Sequence, residues 1–108
     1  MPFTYILRCA DGTLYVGHTG DLASREQAHN DGNGAKYTAA RRPVRMVYAE
    51  EHGSLASAIA RERQLKRWTN KKKEALLLGD QRALTSQSRK SAKSTSVFTW
   101  RDLLNRAP

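Results

Sequence analysis

Two short segments rich in aromatic and branched side chains, separated by a turn, constrain the fold of this chain more than any other feature. Residues 3–9 have the sequence FTYILRC and residues 13–18 have TLYVGH, with the turn-forming ADG between them. Side chains of this kind favour strands, and so short a turn between two such runs is typical of a β-hairpin. The sequence therefore predicts a fold that begins with an antiparallel hairpin.

A short helix is expected directly after the hairpin. Asp21 stands where an N-cap residue belongs, and Leu22, Arg25, Ala28 and His29 recur at helical spacing behind it. The glycine-rich run DGNG that follows predicts the end of this helix.

A third strand is expected after a long loop. Residues 31–43 predict the loop, and residues 44–51 predict the strand. Alternation along that strand places Val44, Met46 and Tyr48 on one face and the residues between them on the opposite face.

Two consecutive helices, over residues 55–69 and 70–79, are expected to close the domain, the first of them capped by Ser54. The fold class predicted is therefore α+β, with a small three-stranded antiparallel sheet flanked by helices. The apolar stripe of the first closing helix consists of Leu55, Ala58, Ile59 and Leu65.

Composition divides the chain into a domain at residues 1–82 and a basic tail at residues 83–108. Within the tail, residues 85–96 contain seven Ser or Thr and no branched aliphatic or aromatic residue, which predicts a flexible linker. The final VFTWRDLLNRAP regains apolar character and could dock on the domain or on a partner. The tail has a net charge of +4 and the domain +5, so the tail is disproportionately basic.

The net charge of +9 indicates a polyanionic partner, and nucleic acid is the first candidate. No apolar run approaches the ~20 residues that a membrane-spanning helix needs, and the N-terminus does not resemble a secretory signal, so no membrane partner is expected. Cys9 is the only cysteine, which excludes an internal disulfide and fits a reducing compartment. We therefore expect a cytoplasmic protein.

Arg25 and His29 lie one helical turn apart and therefore on one face of the first helix. An arginine can hold a phosphate through its bidentate guanidinium, and a histidine can accept a proton or orient a water. A solvated helix face is the other interpretation of this pair.

Glu62 lies inside the apolar stripe of the first closing helix instead of on its polar face. A carboxylate there needs a cation, several hydrogen bonds or protonation to offset its desolvation. Either it is a structural ion-pair member, with Arg61, Arg63 or Lys66 as its partner, or it reaches into a cleft and holds Mg²⁺ or Mn²⁺, which prefer oxygen ligands.

Tyr5 and Tyr15 stand in the two strands of the hairpin, where a tight turn would place both phenols on one face. Such a pair suits a site that binds a polar ligand, although simple packing in the core is the alternative.

A basic segment follows the first helix, with the sequence AKYTAARRP at residues 35–43. Lys36, Arg41 and Arg42 flank Tyr37, and basic side chains beside an aromatic suit a phosphate backbone with a base stacked next to it. A charged solvent-exposed loop is the alternative.

Together these residues resemble the GIY-YIG nuclease superfamily, and in particular its small standalone bacterial members. FTY at residues 3–5 resembles the first motif through its tyrosine, and YVG at residues 15–17 resembles the second with valine in place of isoleucine. The arginine and histidine of the first helix and the glutamate of a later helix have their counterparts in Arg25, His29 and Glu62.

The resemblance implies a metal-dependent endonuclease, a hydrolase of phosphodiester bonds. Glu62 would hold one Mg²⁺ or Mn²⁺, and Arg25 would stabilise the negative charge that develops on the phosphate. Tyr15, assisted by Tyr5 or His29, would orient or deprotonate the attacking water. These roles agree with in-line displacement aided by a metal that acts as a Lewis acid.

The resemblance covers about residues 3–78 and implies DNA as the partner, with RNA as an open alternative. We expect selection of DNA structures or ends, a role in DNA repair or recombination, and a protein partner that supplies the target. The residues expected to contact nucleic acid are His18, Lys36, Tyr37, Arg41, Arg42 and Lys66.

Two other functions stay open at this point. One is a catalytically weak adaptor that keeps the fold and binds nucleic acid through its basic face. The other is an interaction protein whose apolar end segment docks on a partner.

Overall fold

The computed structural model describes the backbone of residues 1–85 and the side chains of residues 1–79. The predicted α+β class and the order of hairpin, helix, third strand and two closing helices are confirmed. The elements are β1 (Phe3–Arg8), β2 (Leu14–Thr19), α1 (Leu22–Asn30), α2 (Lys36–Ala39), β3 (Arg45–Glu51), α3 (Leu55–Lys66) and α4 (Asn70–Thr85).

The three strands form one antiparallel sheet in the order β2-β1-β3, so that β1 lies at its centre. Both faces of the sheet are covered. Tyr5 and Leu7 of β1 pack on one face with Leu22 of α1, and Ile6 packs on the other with Leu65 of α3. The two hydrophobic clusters explain why β1 is buried along nearly its whole length.

A β-bulge in β3 corrects the predicted alternation of that strand. Ile6 pairs with Tyr48 and Leu7 pairs with Met46, so Val47 is an extra residue that has no partner position on β1. Met46 therefore packs on the α1 face while Tyr48 packs on the α3 face. The prediction that both share a face was wrong, because one inserted residue reverses the side-chain alternation beyond it.

One additional helix and two helix ends also differ from the sequence prediction. The segment expected as a loop after α1 contains the short helix α2. The helix expected to reach residue 69 ends at Lys66, and the run expected to end at Gly79 continues as α4 to Thr85. An isolated glycine costs a helix only about 1 kcal/mol, so it does not by itself end one. The predicted tail boundary at residue 83 lies within α4, and residues 86–108 lie outside the described part of the chain.

Both predicted helix caps are present. The Asp21 carboxylate accepts a hydrogen bond from the Ser24 amide at 3.0 Å, and the Ser54 hydroxyl accepts one from the Ser57 amide at 3.1 Å. Leu55, expected in the apolar stripe of α3, is instead 56% exposed because it is the first residue of the helix and lies at the rim of a cleft. Among the described helices, none combines the length and apolar content needed to cross a bilayer.

A half-buried ion pair ties β3 to α3 and predicts a pH dependence of stability. Arg61 donates to both carboxylate oxygens of Glu50 at 2.9 to 3.1 Å, and the Tyr48 hydroxyl donates to the same group. Burial raises the pKa of Glu50, but the hydrogen bonds from Arg61 and Tyr48 outweigh it and hold the pKa below its usual 4.5. The folded form therefore binds this proton less readily than the unfolded chain does.

We expect the stabilisation from Glu50 to be present above pH 4.5 and to be lost as the pH falls through the lower pKa of the folded state. Glu50→Gln should lower the free energy of unfolding by about 2 kcal/mol at pH 7 and by much less at pH 3. Urea unfolding of both proteins at the two pH values measures this. An equal deficit at both pH values would show that the charge of Glu50 is not what stabilises the contact.

Candidate active site

The hairpin places the two tyrosines of the sequence motifs on one face of the sheet. Tyr5 lies opposite Gly17, and Leu7 lies opposite Tyr15, so both phenols project toward α1. The Tyr5 ring packs directly over Gly17, where a β-carbon would lie 2.5 Å from the Tyr5 Oη. The glycine of the second motif is thus required by the close approach of Tyr5.

His29 of α1 lies beneath these tyrosines and is fully buried. Its Nε2 is 2.9 Å from the Tyr5 Oη, its Nδ1 is 2.7 Å from the Thr38 Oγ1, and its ring makes an edge contact with Tyr15 at a centroid distance of 5.4 Å. Burial and the nearby positive charge of Arg25 lower the pKa of His29, so the imidazole is neutral at pH 7.

Arg25 connects this buried group to the surface. Its Nε donates to the Tyr5 Oη at 3.4 Å, and its side chain lines an open cleft of about 610 Å³ together with His18. Burial raises the pKa of Tyr5 to about 12, against the opposing effect of Arg25, so the phenol keeps its proton at neutral pH. The guanidinium is therefore the group of this trio that can reach a ligand in the cleft.

Glu62 of α3 contacts His18, one of the residues that line this cleft. His18 Nδ1 lies 2.5 Å from one carboxylate oxygen and Lys66 Nζ lies 2.8 Å from the other, and the Glu62 side chain is 16% exposed. Burial raises the pKa of Glu62, but the hydrogen bonds from Lys66 and His18 outweigh it, so the pKa lies below its usual value. The carboxylate is therefore ionised at neutral pH.

The donor chemistry at Glu62 fits a hard divalent cation of the Mg²⁺ type. Such an ion is commonly held by one carboxylate, with waters and substrate phosphate as its other ligands. The described residues contain no cluster of three or more His, Cys, Asp or Glu that would form an all-protein cage. Glu62 could hold the ion beside Arg25, although the Lys66 ammonium on its second oxygen competes for the same negative charge.

Tyr37 and Arg41, predicted to contact nucleic acid, lie next to Tyr15. Tyr37 stacks on Tyr15 with a centroid distance of 6.1 Å, and the Arg41 guanidinium lies 3.9 Å from the centroid of the Tyr37 ring. Arg41 also pairs with Asp11 at 3.0 Å. With Tyr15 on one side and Arg41 on the other, a nucleobase can stack on Tyr37 only after Arg41 moves.

The remaining predicted contact residues lie around this core of the site. Lys66 Nζ lies 5.6 Å from the centroid of the Tyr15 ring. Arg42 donates to the carbonyl of Ala39 at 2.9 Å, and Lys36 is exposed on α2. The structure thus brings Tyr5, Tyr15, His18, Arg25, His29, Tyr37, Arg41, Glu62 and Lys66 into one continuous network of contacts, and leaves Lys36 and Arg42 outside it.

Sequence reasoning missed two residues that hold His29 in place. Thr38 contacts the Nδ1 of His29, and Gly34 lies so close that a β-carbon on it would overlap the imidazole. Sequence reasoning also considered only arginines and lysines of α3 as ion partners of Glu62, whereas one of its partners is His18 of β2. Each of these contacts joins residues of different elements, and no short sequence pattern carries them.

Comparison with known proteins gives relatives over most of the chain. A family model described as the GIY-YIG catalytic domain matches residues 1–75. A UPF0213 protein of Bacillus pumilus is 50% identical over 72 residues, which cover 67% of this chain and 74% of that protein. A UPF0213 protein of Staphylococcus aureus is 45% identical over 75 residues, which cover 69% of this chain and 92% of that protein.

A solved structure is similar as well. The solution NMR structure of a UPF0213 protein from Bacillus halodurans is 40% identical, with a TM-score of 0.47, and the match covers 71% of this chain and 83% of that one. The family model spans every element from β1 to α3, and the residues that it matches include the whole contact network described above. This chain therefore belongs to the GIY-YIG catalytic domain family, whose superfamily is one of nucleases.

Proposed function

We propose that this protein is a metal-dependent endonuclease that hydrolyses phosphodiester bonds of DNA. One observation carries the proposal. His18 lines the cleft beside Arg25 and at the same time contacts the ionised carboxylate of Glu62. The cleft that carries a cation suited to a phosphate is therefore joined, through His18, to a carboxylate suited to a metal.

The geometry supports a division of roles within the site. Arg25 binds the scissile phosphate and stabilises the charge that develops on it. Tyr15 is half-buried at the edge strand of the sheet and orients the attacking water, whereas Tyr5 and His29 are fully buried behind it. Glu62 would hold a divalent ion, which would supply Lewis acidity to the reaction.

DNA is the proposed substrate because the chain carries a net charge of +9 and the family is one of nucleases. The family model matches residues 1–75, so few described elements remain outside the catalytic domain to read base edges. We therefore propose selection of DNA structures or ends, in repair or recombination, with RNA as an alternative substrate. A protein partner would supply any further specificity.

A nucleic-acid-binding adaptor without turnover is the second candidate. The observation in its favour is that both oxygens of Glu62 already bind protein groups, His18 and Lys66, as in a structural ion pair. In this case the positive surface would bind DNA in a salt-dependent way. Glu62 would hold no metal and would only join α3 to β2 through its contact with His18.

Cleavage of a panel of labelled substrates distinguishes the two functions. The panel contains single strand, duplex, flap, fork and four-way junction, each incubated with the full chain and Mg²⁺, Mn²⁺ or EDTA. We expect cleavage that requires the metal and that differs between substrates. Arg25→Gln serves as the site variant and Arg45→Gln, at an exposed position of β3 with no assigned contact to nucleic acid, as its matched control.

Binding that weakens steeply with salt, without cleavage at any metal concentration, would support the adaptor and overturn the endonuclease. Cleavage that persists in EDTA would contradict the metal dependence, and an equal reduction by Arg25→Gln and Arg45→Gln would place the reaction elsewhere than in this cleft.

A further inference from the structure

A chain of hydrogen bonds runs inward from the site and ends at a residue that neither the sequence motifs nor the family assign to it. Arg25 Nε contacts the Tyr5 Oη, the Tyr5 Oη contacts His29 Nε2, and His29 Nδ1 contacts the Thr38 Oγ1. The Thr38 Oγ1 in turn contacts the carbonyl oxygen of Ala35 at 3.1 Å. Tyr5, His29 and Thr38 are each at most 1% exposed. The positions of their protons therefore depend on neighbouring protein groups and not on bulk solvent.

The number of protons available determines the direction of every bond in this chain. A carbonyl oxygen only accepts, so the single hydroxyl proton of Thr38 is donated to the Ala35 carbonyl, while the Thr38 oxygen accepts from the Ala35 amide at 3.3 Å and keeps a second lone pair. The Thr38 oxygen must then accept from His29, which places the imidazole proton on Nδ1 and leaves Nε2 as an acceptor. Tyr5 consequently donates its proton to His29, and its oxygen is left to accept from Arg25.

The opposite arrangement leaves one group unsatisfied. If His29 carried its proton on Nε2, the Tyr5 oxygen would accept from both His29 and Arg25. The Tyr5 proton would then have no acceptor among the contacts of the described residues. A buried hydroxyl without an acceptor is destabilising, so the first arrangement is the stable one.

We propose that Thr38 is a positioning residue that fixes His29 in the Nδ1-protonated tautomer and thereby directs the Tyr5 proton into the interior. Tyr5 then serves as a hydrogen-bond acceptor that orients the Arg25 guanidinium toward the cleft. Neither Tyr5 nor His29 takes a proton directly from water, because both side chains are buried behind the cleft. This role in catalysis rests on the proposed function, whereas the tautomer itself does not.

NMR of the ¹⁵N-labelled full chain tests the tautomer directly at neutral pH. Long-range ¹H–¹⁵N correlations distinguish a protonated from an unprotonated ring nitrogen, and the signals of the other two histidines are assigned with His18→Asn and His52→Gln. We expect His29 to be protonated on Nδ1 and unprotonated on Nε2. The reverse pattern would overturn the proposal, whether or not the protein cleaves DNA.

Two variants test the part played by Thr38. Thr38→Val keeps the shape but removes the hydroxyl, so we expect the His29 proton to move to Nε2, whereas Thr38→Ser keeps the wild-type tautomer. For cleavage, Thr38→Val should lower kcat about tenfold with little change in KM, and Thr38→Ser should restore it. An unchanged tautomer in Thr38→Val would overturn the role of Thr38. If the valine variant does not fold, the spectra of the wild type and the serine variant still decide the tautomer.

Discussion

Glu62→Gln is expected to lower the rate of DNA cleavage about 1,000-fold, because a metal that stabilises the transition state by about 4 kcal/mol is no longer held. The amide keeps the size of the carboxylate, its one oxygen can still accept a hydrogen bond from Lys66, and its NH₂ group can donate to the ring nitrogen of His18. The fold should therefore survive the change, while the negative charge that attracts the ion is lost. Two measurements check this: cleavage of the preferred substrate, and Mn²⁺ binding by isothermal titration calorimetry.

Glu74→Gln is the matched control for this prediction. Glu74 is an exposed carboxylate of α4 that pairs with Arg8, away from the cleft, and its side chain is 46% exposed. We expect Glu74→Gln to leave Mn²⁺ binding and cleavage unchanged. If Glu62→Gln binds Mn²⁺ as tightly as the wild type does, the ion is held elsewhere and the assignment of Glu62 is wrong.

Gly34→Ala is expected to have the largest effect on both stability and activity outside the cleft itself. A β-carbon at this position overlaps the His29 imidazole, which is fully buried and cannot move into solvent. Overpacking of this kind costs about 2 kcal/mol, which corresponds to a Tm about 10 °C lower in a domain of this size. Displacement of His29 also releases Tyr5 and Arg25, so the cleavage rate should fall about 100-fold.

Gly53→Ala is the control for the loss of a glycine as such. A β-carbon on Gly53 has no atom within 4 Å. We expect its Tm and cleavage rate to remain within error of the wild type, measured by thermal unfolding followed by circular dichroism and by the same cleavage assay. A Gly34→Ala protein as stable as Gly53→Ala would mean that the loop after α1 adjusts freely, and that it does not hold His29.

The sequence predicted the local elements well because they depend on local chemistry. Strand-forming residues on both sides of a short turn predicted the hairpin, and Asp21 and Ser54 predicted the starts of α1 and α3 through capping bonds that span three residues. Alternation within the hairpin also predicted that Tyr5 and Tyr15 share a face, which the register confirms. All of these features involve residues close together along the chain.

The sequence predictions were wrong for the side-chain directions in β3 and for the burial of Leu55. Val47 is apolar and fits a regular strand, so nothing in the pattern distinguished it as the extra residue of a bulge. The bulge is a feature of how β3 pairs with β1, and this pairing cannot be read from the sequence of β3 alone. Similarly, Leu55 fits an apolar stripe by spacing, but its position at the first turn of α3 leaves it exposed.

The sequence by itself determined the fold class, the positive charge that favours a nucleic-acid partner, and the identities of the candidate catalytic residues through the motifs of the GIY-YIG family. Only the tertiary structure decided which of these groups face the cleft and which are buried behind it. It also decided the contacts of Glu62 with His18, and of His29 with Thr38 and Gly34. The physical reason is that burial, pKa and proton direction depend on groups from different elements, and their separation in space is set by how the sheet and helices pack.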